Sequence, residues 1–171
     1  MIDKQILACD VDNTVADQHQ RYVKYFDPKT RKINRRAFTE KEISKDKPIP
    51  GAVEAISELS SKFRIVWISA RPKAQYELTH QWLTKHHFRI DELFLVESHN
   101  QKIPFLRELK PYVFIDDLKY DWETLDPKLK TDYILDLEKS GISYEVFNNN
   151  WTEIVNKFLC QEVGPESETV A

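Results

Sequence analysis

The stretch Gln5-Ile-Leu-Ala-Cys-Asp10-Val-Asp12-Asn-Thr14 decides the reading of this chain. Ile6 to Cys9 are apolar without a break, the pattern of a strand buried on both faces of a covered sheet. The run ends at Asp10. Side chains along a strand alternate, so Asp10 and Asp12 turn to the same side just beyond the strand's end. Asn13 and Thr14 follow, small polar residues suited to a turn.

Outward from this stretch, four similar runs recur: Arg64-Ile-Val-Trp-Ile-Ser69, Leu93-Phe-Leu-Val96, Tyr112-Val-Phe-Ile-Asp116 and Ser143-Tyr-Glu-Val-Phe147. Between and after them lie helix-like segments at about 51–62, 73–87, 102–109, 128–140 and 151–159. Strands alternating with helices predict an α/β fold, Rossmann-like, with a mostly parallel sheet of about five strands covered on both faces. Right-handed crossovers then gather the C-terminal strand ends at one edge, where open sheets bind ligands. One segment breaks the alternation. Residues 15–47 are too many for a connection and too polar for a core, so they read as a small cap inserted after the first strand. The cap is basic: Arg21, Lys24, Lys29, Arg31, Lys32, Arg35, Arg36, Lys41, Lys45 and Lys47 outnumber Asp17, Asp27, Glu40, Glu42 and Asp46. The expected layout is one domain over 1–160 containing this cap, with a disordered tail at 161–171.

Composition sets the bounds. The 171 residues are 41% hydrophobic and 31% charged, enough for one core and against a disordered or collagen-like chain. A formal net charge of -3 is no overall nucleic-acid signature. No apolar run approaches the roughly 18 residues of a membrane span. The strand-like run starts almost at Met1, leaving no room for a signal peptide, so a cytoplasmic location, no membrane and no obligate protein partner are expected. Cys9 and Cys160 form neither a disulfide framework nor a metal-ligand spacing, and Cys9 reads as core. Among the histidines (19, 80, 86, 87, 99), His86 and His87 read as a helix end, while His19 in the cap is a candidate for substrate contact. Tyr22, Tyr25 and Phe26 among the cap's cations suit stacking on a base.

Asp116 and Asp117 end a second apolar run as Asp10 and Asp12 end the first, with Asp121 a helical turn later. If these strands are neighbours, four carboxylates converge. Two unit charges about 4 Å apart repel by roughly 4 kcal/mol at an effective dielectric near 20, so a positive charge must sit among them. An all-oxygen ligand set without paired His or Cys suits a hard octahedral ion, which makes Mg²⁺ the candidate. Such an ion suits transfer of a phosphoryl group.

In order along the chain, four segments resemble the motifs of the haloacid dehalogenase superfamily. Ile6 to Val15, with Asp10-Val-Asp12-Asn-Thr14, resembles motif I, with Asn13 where glycine is common. Val66-Trp-Ile-Ser69-Ala-Arg71-Pro is similar to motif II, Lys102 is placed like the motif III lysine, and Tyr112 to Asp121 is similar to motif IV. The resemblance implies that Asp10 attacks phosphorus and that Asp12 is general acid and base. It further implies that Ser69 holds phosphoryl oxygens and that Lys102 balances charge between nucleophile and phosphate. Asp10, the Asp12 backbone carbonyl and Asp116 would hold the metal, with Asp117 favoured over Asp121 as the outer contact. Lys110 and Lys119 stand as alternatives to Lys102. Asn13, Thr14, Ala70 and Arg71 are the candidate substrate contacts, Arg71 either reaching a phosphate or pairing with an acid.

Asp46-Lys-Pro-Ile-Pro-Gly-Ala and the Ser69-Ala-Arg-Pro segment are similar to deoxyribonucleotidases and to the phosphatase domain of polynucleotide kinase-phosphatases. The expected activity is therefore phosphomonoester hydrolysis on nucleotides or nucleic-acid end phosphates. A cap this small is expected to leave the cleft open. The rivals are a phosphatase of sugar phosphates or phosphoproteins and a non-catalytic binding module on the same fold. A dehalogenase is disfavoured because halide departure does not need the acid/base Asp12. A receiver domain is disfavoured because it needs a lone Asp after the third strand, where Glu97 stands.

Overall fold

The computed structural model describes residues 4–159; Cys160 and the tail expected at 161–171 lie outside them. The five expected strands are all present: β1 (Gln5–Cys9), β2 (Phe63–Ser69), β3 (Glu92–Leu95), β4 (Val113–Asp116) and β5 (Tyr144–Val146). They form one sheet in the order β5-β4-β1-β2-β3, every pairing parallel. The chain therefore builds outward from β1 on one side, then returns to lay β4 on the other. Such a reversal of strand order leaves a crevice at the strands' carboxyl ends. In β1 and β4, Cys9 pairs with Ile115 and the Asp10 amide donates to the Ile115 carbonyl at 2.9 Å, so the acids that follow both strands are side by side.

Helices α1 (His19–Tyr25), α2 (Ala52–Leu59), α3 (Tyr76–Lys85), α4 (His99–Leu109), α5 (Thr131–Lys139) and α6 (Trp151–Leu159) complete the chain. Strand alternation divides the core in two. Leu7, Cys9, Ile65, Trp67, Val113 and Ile115 face Ile56, Leu83, Trp151 and Ile154, which come from α2, α3 and α6. Ala8, Val66, Ile68 and Phe114 face Leu106, Tyr133 and Leu137 from α4 and α5. Both faces are thus covered, which is why the strands read as unbroken apolar runs. Cys9 is buried in this core, and His86 caps the C-terminus of α3, as expected.

Three helix starts differ from the expected ones. Residues 73–75 form a 3-10 turn before α3. Helix α4 begins at His99, which places Lys102 inside its first turns instead of at its start. Helix α5 begins only at Thr131, because Lys128–Leu129 pairs antiparallel with Lys119–Tyr120. No helix among the described residues is long and apolar enough to cross a membrane.

The insertion after β1 is closed at its base by antiparallel pairing of Ala16–Asp17 with Lys47–Pro48. Inside it lie α1, a small hairpin (Phe26–Asp27 with Lys32–Ile33), a 3-10 turn (Arg35–Phe38) and one helical turn (Glu40–Ile43). Arg21 locks these parts together. Buried on α1, it donates to both oxygens of the buried Asp46 at 2.9 Å and to the Ala37 carbonyl at 2.8 Å. This two-pronged, charge-assisted contact fixes geometry as well as charge. Trp82 of α3 donates to the Asp46 carbonyl at 2.8 Å and so ties the cap to the main domain. Across the crevice, Lys32–Ile33 lies against the turn Trp122–Thr124. The cap therefore reaches over to the loop after β4 rather than standing clear of the cleft.

Candidate active site

The cavity beneath the cap measures about 400 Å³. Asp10, Asp12, Asn13, Ala70, Arg71 and Asp117 line it from the strand ends, and Arg21, Tyr22, Phe38 and Ile43 from the cap. Ser69, Lys102 and Asp116 are fully buried behind this lining. Asp10, Asp116 and Asp117 each place a carboxylate oxygen within 4.8 Å of the others. Asp12 does not join that cluster, and neither does the exposed Asp121. Thr14 is buried; its hydroxyl accepts from the Asp117 amide at 3.1 Å and thereby joins the turns after β1 and β4.

Lys102 crosses from α4 to the acids. Its ammonium group donates to Asp10 Oδ1 at 2.6 Å and to Asp116 Oδ2 at 2.8 Å, with the whole side chain at 0% exposure. Burial opposes a charged lysine, yet the two carboxylates outweigh it and hold its pKa above the ordinary value. The same ammonium sets the acids. Burial raises Asp116, but Lys102 and Lys130 pull it below its usual range. Asp10 goes the other way: burial, only partly offset by Lys102 and reinforced by Asp116 and Asp12, pushes it up to about 7. Asp117 is pushed up to about 8 by burial and by the charges of Asp116 and Asp10.

Asp12 is held separately. Arg71 grips it through Nε, 2.9 Å from Oδ2, and a terminal nitrogen, 2.6 Å from Oδ1. Gln18 also donates to Asp12, and Ser69 Oγ lies 3.3 Å from Oδ2. Burial raises the Asp12 carboxyl, but Arg71, Arg21 and Lys102 together bring it below the ordinary carboxylate value. Of the two roles expected for Arg71, pairing with an acid is the one seen here. Its third nitrogen donates to the buried Thr79 hydroxyl at 3.0 Å.

Several lining residues escape a reading of the sequence. His99 and Lys130 face the acids from α4 and from the residue before α5, the lysine donating to His99 Nε2 at 3.0 Å. Burial and the two lysines depress His99 to about 4, so the ring is neutral. Nothing in the run Asp126-Pro-Lys-Leu-Lys130 distinguishes Lys130 from a surface lysine; its place follows from its amide donating to the Leu118 carbonyl at 2.8 Å. Trp122, Tyr120 and Gln75 also line the cavity. His19 is exposed and lies outside the lining, as do Tyr25 and Phe26; Tyr22 lies inside it.

The acids present an all-oxygen donor set, two of whose members, Asp10 and Asp117, are driven toward their protonated forms by burial and then by the neighbouring carboxylates. That chemistry is compatible with a hard metal ion.

No family model matches the chain. A Bacillus cereus protein named "Putative nucleotidase" is 38% identical over 81 residues, 46% of this chain and 43% of that protein, so the match spans less than half of the relative's length. A chain in the structure of the Pnkp1/Rnl/Hen1 RNA repair complex superposes with a TM-score of 0.58 at 14% identity, over 84% of this chain and 42% of that one. A hydrolase from Streptococcus pneumoniae TIGR4 superposes with a TM-score of 0.57 at 10% identity, over 93% of this chain and 100% of that one. At these identities the two structures speak for the fold. The α/β fold expected from the alternation of strands and helices, a parallel five-stranded sheet with helices on both faces, is the one observed.

Proposed function

We propose that this chain hydrolyses phosphomonoesters with the help of Mg²⁺, through attack by Asp10 on phosphorus, and that its substrates are nucleotides or nucleic-acid end phosphates. The observation that carries the reading is the meeting of Asp10, Asp116 and Asp117 with the buried Lys102 at the floor of the cavity. Asp10, Asp116 and the Asp12 carbonyl would hold the ion, with Asp117 as its outer contact. Bound there, Mg²⁺ would offset the negative charge of the phosphoryl group.

Lys102 holds one oxygen of Asp10, which leaves the other to attack phosphorus and form an aspartyl phosphate. Asp12 protonates the leaving oxygen and later takes a proton from water. Its present grip by Arg71 favours the carboxylate. Because Arg71 also lines the cavity, a phosphate offers it a second anion; as Arg71 turns to that anion, burial raises Asp12 toward the value an acid needs. Ser69 and the Ala70-Arg71 backbone border the phosphoryl oxygens.

Three features favour a nucleotide. A cavity of about 400 Å³ lies in the range that holds small organic ligands, and Tyr22, Phe38, Tyr120 and Trp122 give it aromatic walls. On the cap, Lys29, Arg31, Lys32, Arg35 and Arg36 are exposed and make no ion pair among the described residues, a field that draws polyanions. The names of the Bacillus cereus relative and of the RNA repair complex point the same way. A panel of 3'- and 5'-nucleotides, end-phosphorylated oligonucleotides, sugar phosphates and a phosphopeptide tests the assignment. The nucleotide or oligonucleotide is expected to have the highest kcat/KM, about tenfold or more above the others. Preference for a sugar phosphate or phosphopeptide would reject it, and hydrolysis of none would favour a binding module.

Mg²⁺ binding is expected to depend on pH. With Asp10 near 7 and Asp117 near 8, the ion displaces protons below those values. Affinity measured by calorimetry should rise from pH 6 to pH 8 and level off above. An affinity flat over that range would contradict the assignment of these carboxyls to the ion.

A further inference from the structure

Trp122 joins three parts of the molecule. Its indole Nε1 donates to Asp117 Oδ2 at 2.8 Å, and its side chain lines the cavity. The turn it opens, Trp122–Thr124, lies against the cap strand Lys32–Ile33. The backbone around it is costly to form. Leu118, Asp121 and Leu125 all have left-handed φ angles, 51°, 58° and 61°, and none is glycine. Non-glycine residues in this region are strained and persist where their surroundings dictate them. Here the Lys119–Tyr120 and Lys128–Leu129 pairing brackets the loop and holds the indole over Asp117.

Asp117 has few other restraints on its carboxylate. Its amide is held by Thr14, but the indole N–H is its side chain's only hydrogen-bond donor among the described residues. A donor of this kind orients a metal-binding carboxylate and tunes its affinity.

We propose that Trp122 is a positioning residue that orients Asp117 for the divalent cation, while its ring shapes the wall of the cavity facing the cap. The proposal rests on the reading of Asp10, Asp116 and Asp117 as a cation site. Trp122→Phe keeps most of the ring and removes the N–H. In that variant, Mg²⁺ affinity measured by calorimetry without substrate should fall roughly tenfold. Trp122→His, which restores a ring N–H, should recover part of the Mg²⁺ affinity.

The outcomes separate cleanly. Mg²⁺ affinity in Trp122→Phe equal to that of the parent would overturn the role of Trp122 and leave the cation site standing. A fall in affinity accompanied by an equal fall in cation-free thermal stability, with no recovery in Trp122→His, would reduce Trp122 to packing and overturn the proposal. A parent chain that binds no Mg²⁺ at millimolar concentration would remove the cation site itself, and the proposal with it.

Discussion

Asp10→Asn is expected to lower phosphatase activity on the order of 10³-fold or more while raising the melting temperature of the cation-free protein. The activity loss follows from replacing the attacking carboxylate by an amide, which is a poor nucleophile and no longer forms the aspartyl phosphate. The stability gain follows from electrostatics. Burial, then the neighbouring Asp116 and Asp12 acting against Lys102, lifts Asp10 from 3.8 to about 7. The folded state therefore holds a proton that the unfolded chain releases near pH 4. Stability from this group is present in full below the unfolded value and is lost as pH rises through about 7. An asparagine has no proton to lose. The variant's advantage should thus be small near pH 4, grow through about pH 7 and then stay constant, as thermal melts across that range would record. Mg²⁺ should narrow the gap by stabilising the parent more than the variant. A variant that kept full activity, or that melted lower than the parent at pH 8, would be inconsistent with this assignment.

Lys102→Met is expected to lower stability and activity together. The side chain is fully buried, and its ammonium is bonded to both Asp10 and Asp116. Methionine fills a similar volume, so the loss is of charge rather than packing. Removing one member of a buried ion pair leaves the others uncompensated, at a cost of about 3 kcal/mol, or roughly 6–12 °C in melting temperature for a chain of this size. The deficit should shrink at pH 5, where the orphaned acids take up protons, and added Mg²⁺ should recover part of it. Activity should stay low even at saturating Mg²⁺, because Asp10 loses the contact that holds its attacking geometry. Equal melting temperatures for variant and parent at pH 8 would argue that Lys102 is not the counter-charge of these acids in solution.

The parts of the molecule that were legible in the sequence share a physical reason. A central parallel strand is apolar throughout because both faces are covered, and it ends abruptly where it meets solvent and ligand. Ile6 to Asp10 and Val113 to Asp117 show that break directly, so the strands, the sheet and the convergence of the acids follow from it. Lys102 was only one of three lysines that sequence could offer. Its selection depends on the early start of α4 at His99, which turns it into the core, whereas Lys110 ends that helix exposed and Lys119 sits in a short hairpin. Lys130, His99 and Trp122 carry no local signal, since the residues around them form no distinctive pattern and their positions come from tertiary contacts. The cap is similar. Its basic excess is plain in composition, but the buried Arg21–Asp46 pair that holds it together spans 25 residues and looks like two ordinary surface charges in the sequence.

The proposed mechanism requires the Asp10 carboxylate to become covalently phosphorylated during turnover. Borohydride added to the protein while it hydrolyses its preferred substrate in Mg²⁺ would reduce an acyl phosphate to the alcohol, converting the aspartate involved into homoserine. Peptide mapping by mass spectrometry is expected to find that change at Asp10, only when substrate and Mg²⁺ are both present. Continued turnover with an unmodified Asp10, or with the change at another acid, would rule out Asp10 as the nucleophile.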